Sequence, residues 1–376
     1  MPLLRTSASD VTATIKAGAE VNAAIGGAVS RGGNSAPPRA GGTAAAAAAV
    51  TQSRAAQTST ITTIFRTPPT AFVPPPPPEW RWSSTKFLEV FFPTSLAGSY
   101  NGDRILARRD GINHLYATIN GGVSWINNAS IGSIGSIVKV SYDGTLVVYA
   151  TRGAGVWFSS NGGVNFSDIT PPVIVNGIWT GLAMSSDGTK IAVSEETAGY
   201  IYTATRSGST WTWTRQTSSG AKSWLWIVGS ADGSILIAGA AGDSYRSTNG
   251  GVTWSAARSM GVAASVVEVY CSEDATILFG RQNGTTTLFK SVDGGATWSA
   301  TGPVKNWRGN SMSANGVKMI ATLNGEVWLS ETSGSIWTQQ PDISGGDMRS
   351  IYISGDGNRI AVASYGSSKV YFAANV

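Results

Sequence analysis

The residue types that most often carry catalysis or bind metals are scarce in this chain of 376 residues, which contains one cysteine, Cys271, and one histidine, His114. One cysteine cannot form an internal disulfide, and one cysteine with one histidine cannot supply the ligands of a structural zinc site. A single histidine also argues against Ser-His-Asp and metallohydrolase mechanisms. We therefore expect no metal and no cofactor, a surface position for His114, and burial of Cys271 on an inner strand.

Tryptophan and arginine side chains are better candidates for a binding surface. Trp179, Trp224 and Trp307 each lie nine residues before the glycine of a recurring turn, so they should occupy equivalent places near the centre of a repeating fold. Two interpretations are open, because large residues that begin an inner strand are commonly buried, whereas exposed ones would stack on a sugar or a peptide. Arginines predicted nearby would either bind a carboxylate or sulfate or stay solvated: Arg152, Arg281, Arg308 and Arg349.

The recurring turn is an Asp-Gly or Asn-Gly pair between alternating apolar runs, which is the strongest short-range signal of a β-hairpin. Its copies follow one another at intervals of 41 to 45 residues, and alanine replaces glycine in one of them. The turn is found at Asn101-Gly102, Asp143-Gly144, Asp187-Gly188, Asp232-Gly233, Asp274-Ala275, Asn315-Gly316 and Asp356-Gly357. These seven copies indicate a repeat architecture.

A second motif follows six of the seven turns by about 18 residues, and its clear copies have the form Ser/Thr-x-Asn/Asp-Gly-Gly-x-x-aromatic. The clear copies contain Asn120, Gly122 and Trp125; Asn161, Gly163 and Phe166; Asn249, Gly251 and Trp254; and Asp293, Gly295 and Trp298. Two degenerate copies keep Gly208 with Trp211 and Gly334 with Trp337. The motif resembles the Asp box of sialidase-like (BNR) repeats, and the resemblance extends over residues 79–376.

The chemistry of this box is structural. Its Asp or Asn side chain can accept hydrogen bonds from the backbone of its own turn, and glycine supplies a positive φ. The terminal aromatic side chain can fill the space between neighbouring sheets. In the family that the motif resembles, the boxes lie on the face opposite the active site. The resemblance therefore implies a scaffold role for every box residue.

Each interval has room for four short strands, which in the second repeat we place at residues 136–141, 145–150, 155–159 and 164–169. Four-stranded units that repeat radially are typical of a β-propeller. The hairpin turns predict an all-β fold of seven blades, although the chain ends at Val376 without a fourth strand for the last blade. Trp80 precedes Gly102 by the spacing that box aromatics keep from the next turn. We therefore predict that residues 79–83 form the outer strand of the last blade and close the ring.

The residues before the propeller differ from it in composition and charge. Residues 1–66 hold six Lys or Arg against two Asp or Glu, whereas the whole chain has a net charge of +5. They are rich in Ala, Gly and Ser, so they cannot bury enough apolar surface to fold alone. Residues 67–78 contain the five prolines Pro74–Pro78, which predict a stiff, extended spacer. We interpret residues 1–66 as an anchoring arm and residues 79–376 as the propeller.

Three functional hypotheses follow. The first is a non-enzymatic binding protein of a virion, with an uncleaved arm held by neighbouring subunits and a propeller face that contacts a host glycan or protein. The second is a plastid assembly factor similar to the seven-bladed photosystem II stability factors, with residues 1–66 as a transit peptide. The third is a sialidase-like glycosidase or lectin, because Phe65-Arg66-Thr67-Pro68 resembles the (F/Y)-R-I-P motif of that family. In that motif the arginine binds the substrate carboxylate. Partners for Arg66 cannot be placed, which favours the first hypothesis.

Charge and hydropathy restrict the partners further. Outside the arm the chain is nearly neutral, which argues against a broad nucleic-acid-binding face. No uninterrupted run of about 18 apolar residues occurs, so we predict no membrane-spanning helix.

Overall fold

Alternating apolar and polar segments between turns form seven four-stranded antiparallel sheets, each a blade of a β-propeller. The computed structural model describes residues 80–86, 93–109, 114–130, 137–153, 155–172, 177–197, 199–261, 266–282, 286–340, 343, 346–365 and 369–375. The predictions for the arm, the spacer and the Phe65–Pro68 motif lie outside these residues. Over the described part of the chain, no helix combines the length and the apolar character needed to span a bilayer.

The first four blades follow one another along the chain, and the first strand of each blade is innermost. Blade 1 comprises β2 (Pro93–Gly98), β3 (Ile105–Arg109), β4 (His114–Thr118) and β5 (Ile126–Ser130). Blade 2 comprises β6 (Ile137–Val140), β7 (Val147–Thr151), β8 (Gly155–Ser159) and β9 (Ser167–Asp168). Blade 3 comprises β10 (Trp179–Met184), β11 (Lys190–Glu195), β12 (Ile201–Ser207) and β13 (Thr210–Gln216), which a short 3₁₀ helix, Thr217–Ser219, follows. Blade 4 comprises β14 (Trp224–Gly229), β15 (Leu236–Ala240), β16 (Asp243–Ser247) and β17 (Arg258–Ser259).

The last three blades complete the ring. Blade 5 comprises β18 (Val266–Cys271), β19 (Leu278–Gln282), β20 (Leu288–Ser291) and β21 (Ser299–Thr301). Blade 6 comprises β22 (Gly309–Met312), β23 (Met319–Leu323), β24 (Glu326–Ser330) and β25 (Thr338–Gln340). Blade 7 takes β26 (Asp347–Ile353), β27 (Arg359–Tyr365) and β28 (Lys369–Asn375) from the end of the chain, and β1 (Trp80–Lys86) from before blade 1.

Strand β1 confirms the predicted closure of the ring. It pairs antiparallel with β28 in a register that begins at Trp80 opposite Asn375 and ends at Lys86 opposite Lys369. The strand begins one residue later and ends three residues later than the predicted residues 79–83. Trp80 and Trp82 pack against the apolar cluster that joins blades 6 and 7, so this strand contributes packing as well as pairing.

The hairpin turns share a hydrogen-bond pattern that includes a serine two residues before the Asp or Asn. In blade 4, the Ser230 hydroxyl donates to Asp232 Oδ1 at 2.6 Å and accepts from the Ile235 N–H at 2.9 Å. Asp232 Oδ1 also accepts from the Ser234 N–H at 3.0 Å. The residue after the Asp or Asn has a positive φ in every blade, including Ala275 at 52°. Each turn therefore satisfies its own polar groups.

A closed circle of backbone hydrogen bonds links these turns around the axis. The N–H of Tyr100 donates to the carbonyl of Tyr142, and each following blade repeats the bond to its neighbour. The circle closes where the Asp356 N–H donates to the Tyr100 carbonyl at 3.0 Å. Its members are Tyr100, Tyr142, Ser186, Ala231, Glu273, Ala314, Gly355 and Asp356. The circle ties all seven blades together on the face that carries the hairpin turns, which we call the hairpin face.

The aromatic residues that end the boxes lie between neighbouring blades. Trp211 stands edge-on to Phe158 of the preceding blade, with ring centroids 5.2 Å apart. The Trp337 ring is tilted against Phe279 of its preceding blade, with centroids 5.7 Å apart. Such pairs bury large apolar areas and add a geometric preference of about 1 kcal/mol. The core is therefore a set of seven packed seams rather than one central cluster.

Candidate functional site

The innermost strands enclose a channel along the propeller axis. Side chains alternate between the two faces of a strand, so every second residue of β6 and of β18 faces the same side. Two cavities lie along this channel, one of about 240 Å³ that includes the hairpin turns and one of about 280 Å³ further from them. Lys139 and Tyr270 line both cavities. These two residues therefore lie where the two cavities adjoin.

The 280 Å³ cavity is lined by charged and polar groups from opposite sides of the ring. The Nζ atom of Lys139 in blade 2 lies 5.4 Å from the ring centroid of Tyr270 in blade 5. The Tyr270 hydroxyl donates to Glu268 Oε1 at 3.3 Å, and Glu268 Oε2 accepts from Arg281 Nε at 2.9 Å. We call the cavity with Lys139, Glu268, Tyr270, Arg281 and Arg349 the channel mouth.

Burial controls the titration of these groups. Removal of the Lys139 ammonium from water lowers the pKa of that side chain, and burial raises the pKa of the Tyr270 phenol with a further contribution from the nearby Glu268 carboxylate. The charged form of a desolvated ammonium group in a cleft is stabilised when a ligand supplies the opposite charge. The channel mouth is therefore suited to bind an anion.

Two arginines, Arg308 and Arg349, lie beside one carboxylate at the edge of the channel mouth. The Asp347 carboxylate lies between Arg349, whose Nε it contacts through Oδ2, and Arg308, whose Nε is 3.7 Å from Oδ1. The Arg349 guanidinium also stacks on the Tyr365 ring at 4.1 Å from its centroid. One carboxylate thus holds two arginines, and Arg349 lines the cavity itself.

The structure separates the four arginines that the sequence singled out. It places Arg281 and Arg349 in the lining of one cavity and Arg308 beside them. It places Arg152 elsewhere, in an ion pair with Glu196 between blades 2 and 3, with about half of the arginine side chain exposed (53%). Arg152 is therefore not part of the channel mouth.

The tryptophans that could have formed a stacking ring are buried. Trp179 and Trp224 are 0% exposed, and Trp307 is 3% exposed. Trp179 stands edge-on to Tyr202 at 5.8 Å, Trp224 packs against Tyr245 at 5.2 Å, and Trp307 lies 6.4 Å from Trp337. The hypothesis of an accessible aromatic ring is wrong, because all three side chains pack into the apolar clusters between neighbouring blades.

The box residues lie in tight turns on the hairpin face. In blade 5, Asp293 Oδ1 accepts from the Thr297 N–H at 2.8 Å, and the Ser291 hydroxyl accepts from the Gly295 N–H at 2.9 Å. The same bonds recur with Asn120, Asn161 and Asn249. Oxygen atoms of these side chains are used within their own turns, which is the geometry of a scaffold element.

Two channel residues escaped the sequence analysis although a signal was available. Lys139 and Tyr270 each lie five residues before the second residue of their hairpin turn, so they occupy equivalent positions on innermost strands. Lys139 is also a charge within the apolar run Ile137–Val140. A charged residue at an innermost position of one blade is the mark that could have identified this site.

The single cysteine and the single histidine both lie on strands of the propeller. Cys271 lies on the innermost strand β18, as expected, but its side chain is only partly buried. Its thiol donates to the Gly229 carbonyl at 3.1 Å, and desolvation raises its pKa to about 11. His114 is the first residue of β4. Across the described ranges, no group of three or more His, Cys, Asp or Glu side chains could hold a metal ion.

Comparisons with known proteins place the chain in a fold class, the seven-bladed β-propellers. No family model matches it, and no curated protein matches it in sequence. Among solved structures, it is similar to the β-propeller domain of Myceliophteria thermophila Cps50 (Swd1), with a TM-score of 0.62 at 11% identity over 79% of this chain and 100% of that one. It is also similar to virginiamycin B lyase from Staphylococcus aureus, with a TM-score of 0.61 at 14% identity over 79% of this chain and 100% of that one. A third similar structure is YCF48 bound to D1 peptide, with a TM-score of 0.59 at 12% identity over 78% of this chain and 97% of that one.

Proposed function

We propose that this protein is a non-enzymatic binding protein whose channel mouth takes an acidic peptide segment of a partner. The observation that carries the proposal is the cationic excess there, where Lys139, Arg281 and Arg349 line one cavity with a single carboxylate, Glu268. Arginine binds carboxylates through a planar, charge-assisted pair of hydrogen bonds, and a desolvated lysine adds a point charge. An extended peptide with a carboxylate side chain offers the complementary charge and fits a narrow channel.

The solved structures of similar fold support both binding and catalysis as uses of such a propeller. One is described as bound to a peptide and another as a lyase. The channel mouth favours binding, because its polar groups form a linear chain from Lys139 to Arg281 with a cationic surplus. That arrangement attracts an anion by charge and does not require a reacting group.

A peptide array tests this proposal on the full chain. Acidic nonapeptides are printed beside analogues in which Glu and Asp are replaced by Gln and Asn. We expect the protein to bind the acidic set at least tenfold more tightly, a difference of about 1.4 kcal/mol, and Arg281→Gln to remove this preference. Arg152→Gln is the matched control, because Arg152 carries the same charge outside the cavity. Equal binding of both sets, or loss of the preference in the Arg152 variant alone, would contradict the proposal.

We further propose that residues 1–66 anchor the propeller to neighbouring subunits of a large assembly, a virion in which the propeller contacts a host glycan or protein. The support is compositional, because the segment is basic and its apolar residues are mostly alanine, which buries too little surface for the segment to fold alone. Five prolines would then hold the propeller roughly 15 Å from the anchoring surface, at about 3.1 Å per residue. A plastid assembly factor remains the alternative, with residues 1–66 as a transit peptide.

Deletion of residues 2–66 tests the anchor. We expect the propeller to stay folded, with an unchanged Tm, and to be lost from the purified particle. Full incorporation of the truncated chain would refute the anchor, and a mature N-terminus beyond residue 66, found by mass spectrometry, would favour the transit peptide.

We also propose that the propeller belongs to the Asp-box (BNR) repeats. The support is the shared turn, in which a box Asn or Asp accepts the N–H four residues later in blades 1, 2, 4 and 5.

A further inference from the structure

A cavity of about 470 Å³ lies between blades 3 and 4 and opens near the hairpin face, away from the channel mouth. Its walls include Ala183 and Ala192 of blade 3 and Leu236 of blade 4, and Val252 at its rim is 59% exposed. A cavity of about 150 Å³ lined by apolar groups already binds benzene, and ligand pockets typically begin near 300 Å³. This cavity, which we call the seam pocket, has the size of a ligand site.

The seam pocket has a cause in the sequence. In each blade, one of the cross-strand pairs that face the next blade begins four residues after the second residue of the hairpin turn. In blade 3 this pair is Ala192 opposite Thr203. The box glycine of blade 4, Gly251, faces the Thr203 methyl group and Leu236. Two small side chains at this pair leave the seam unfilled.

The other blades fill the same place with at least one large side chain. The equivalent pairs are Leu106 with Ala117, Val148 with Phe158, Ile237 with Arg246, Phe279 with Lys290, Ile320 with Leu329 and Ala361 with Phe372. In blade 7, where the second-strand residue is again alanine, the Phe372 ring packs directly against Gly122 of blade 1. Blade 3 is thus the exception among the seven pairs.

Two polar side chains of the seam pocket, Thr203 and Gln216, are joined to each other. The Gln216 amide donates to the Thr203 hydroxyl at 2.6 Å. The one ammonium in the lining, that of Lys190, donates to the Asp232 carbonyl at 2.9 Å. A ligand of this pocket should therefore be uncharged, largely apolar and able to make one or two hydrogen bonds.

We propose that the seam pocket binds a small neutral ring compound, with the ring between Ala192 and Leu236 and its polar group at Gln216 and Thr203. The apolar walls favour a flat or compact ring over a polyhydroxylated one, because buried hydroxyls without partners are costly. The site is independent of the channel mouth, so either can fail without the other.

Ligand-observed NMR on the full chain tests this site with indole and cyclohexanol as probes. Glucose is the neutral, polar comparison of similar size. We expect indole and cyclohexanol to bind and glucose not to bind. Ala192→Ile, which introduces the isoleucine found in blades 4 and 6, should weaken indole binding at least tenfold, or about 1.4 kcal/mol, and raise the Tm by filling the space.

A second variant and a matched control keep the test decisive. Thr203→Leu fills the pocket from the third strand, as Leu329 does in blade 6, and should also abolish binding if Ala192→Ile folds poorly. Ala361→Ile is the control, because Phe372 already occupies that seam, and it should lower the Tm and leave indole binding unchanged. Absence of indole binding by the unmodified protein, or full binding by both filled variants, would overturn the proposal. Preferential binding of glucose would do the same.

Discussion

The hairpin face and the channel mouth are built from the same seven blades by different rules. On the hairpin face every blade repeats one serine, one Asp or Asn and one positive-φ residue, and the backbone circle joins them with nearly equal bonds. At the channel mouth the blades differ, and charged groups come from blades 2, 5 and 7 only. The repeated residues satisfy one another locally, whereas the residues that vary meet across the axis.

This difference separates stability from recognition. A turn whose polar groups are satisfied by its own residues has little left to offer a ligand. The Lys139 ammonium is desolvated, so a partner that supplies a negative charge would stabilise it. We therefore propose that the hairpin face holds the ring together and that the channel mouth binds the partner.

Removal of strand β1 should have the largest effect, because this strand closes the ring in blade 7. A chain that begins after Lys86 leaves β28 as an unpaired edge and exposes the seam where Trp80 and Trp82 pack. We expect a loss of more than about 3 kcal/mol in the free energy of unfolding, measured by urea denaturation. A chain that begins at Glu79 is the control and should keep full stability. Equal stability of the two truncations would refute the closure by β1.

Ser230→Ala should be the next largest change. The buried Ser230 hydroxyl is the acceptor for the Ile235 N–H and a donor to Asp232, so its loss leaves a backbone donor without that partner. We expect a cost of about 1–3 kcal/mol, seen by thermal and urea unfolding. Ser234→Ala is matched, because it removes a hydroxyl that donates to the same carboxylate from the exposed side. If the two variants lose the same stability, the turn is not held by its buried serine.

Lys139→Met, at the channel mouth, should raise the free energy of unfolding, whereas the preceding variants lower it. Burial lowers the pKa of Lys139 in the folded state, so below the unfolded lysine pKa of about 10.4 the unfolded chain binds the proton more tightly. The lysine therefore costs stability at neutral pH, and the cost declines as the pH rises through its folded-state pKa. We expect the variant to gain about 1 kcal/mol at pH 7 and less near pH 10, and to lose acidic-peptide binding. A destabilised variant that still binds acidic peptides would reverse our assignment.

Asp232→Asn should have the smallest effect at pH 7 and a clear effect in acid. Hydrogen bonds from the Ser230 hydroxyl and the Ser234 N–H lower the pKa of Asp232 to about 2. Its contribution is therefore complete above the unfolded aspartate pKa of about 3.9 and is lost as the pH falls toward 2. Blades 1 and 6 use Asn101 and Asn315 at this position, so asparagine keeps the acceptor. The variant should be slightly less stable than the unmodified protein at pH 7, because it lacks the charge, and should lose less stability between pH 4 and pH 2; identical acid profiles would exclude this role.

The sequence predicted what is local and repeated. Asp-Gly turns, box glycines and the spacing of Trp80 each depend on residues close in the chain or on a constant period, so the blade count and the closing strand followed from them. The channel mouth depends on Lys139 and Tyr270 from blades 2 and 5, which only the circular arrangement brings together. The direction of Trp179 was equally out of reach, because its position on an innermost strand did not determine whether it faced the channel or a seam.

The seam pocket shows the same limit in another form. Ala192 and Thr203 are unremarkable in the sequence until their cross-strand pairing is known. Their small size is recognised as an exception only when they are compared with the equivalent pairs of the other blades, such as Ile237 with Arg246. Small residues at a shared position become a cavity because neighbouring blades do not move closer to compensate.

Photo-crosslinking gives the most direct test of the central claim that the channel mouth, and not the hairpin face, binds the partner. An acidic peptide selected on the array is synthesised with a benzophenone side chain, irradiated with the full chain, and mapped by mass spectrometry. We predict crosslinks in β6, β18 and β19, around Lys139, Tyr270 and Arg281. Crosslinks confined to the box turns, at residues 118–125 or 247–254, would contradict the account.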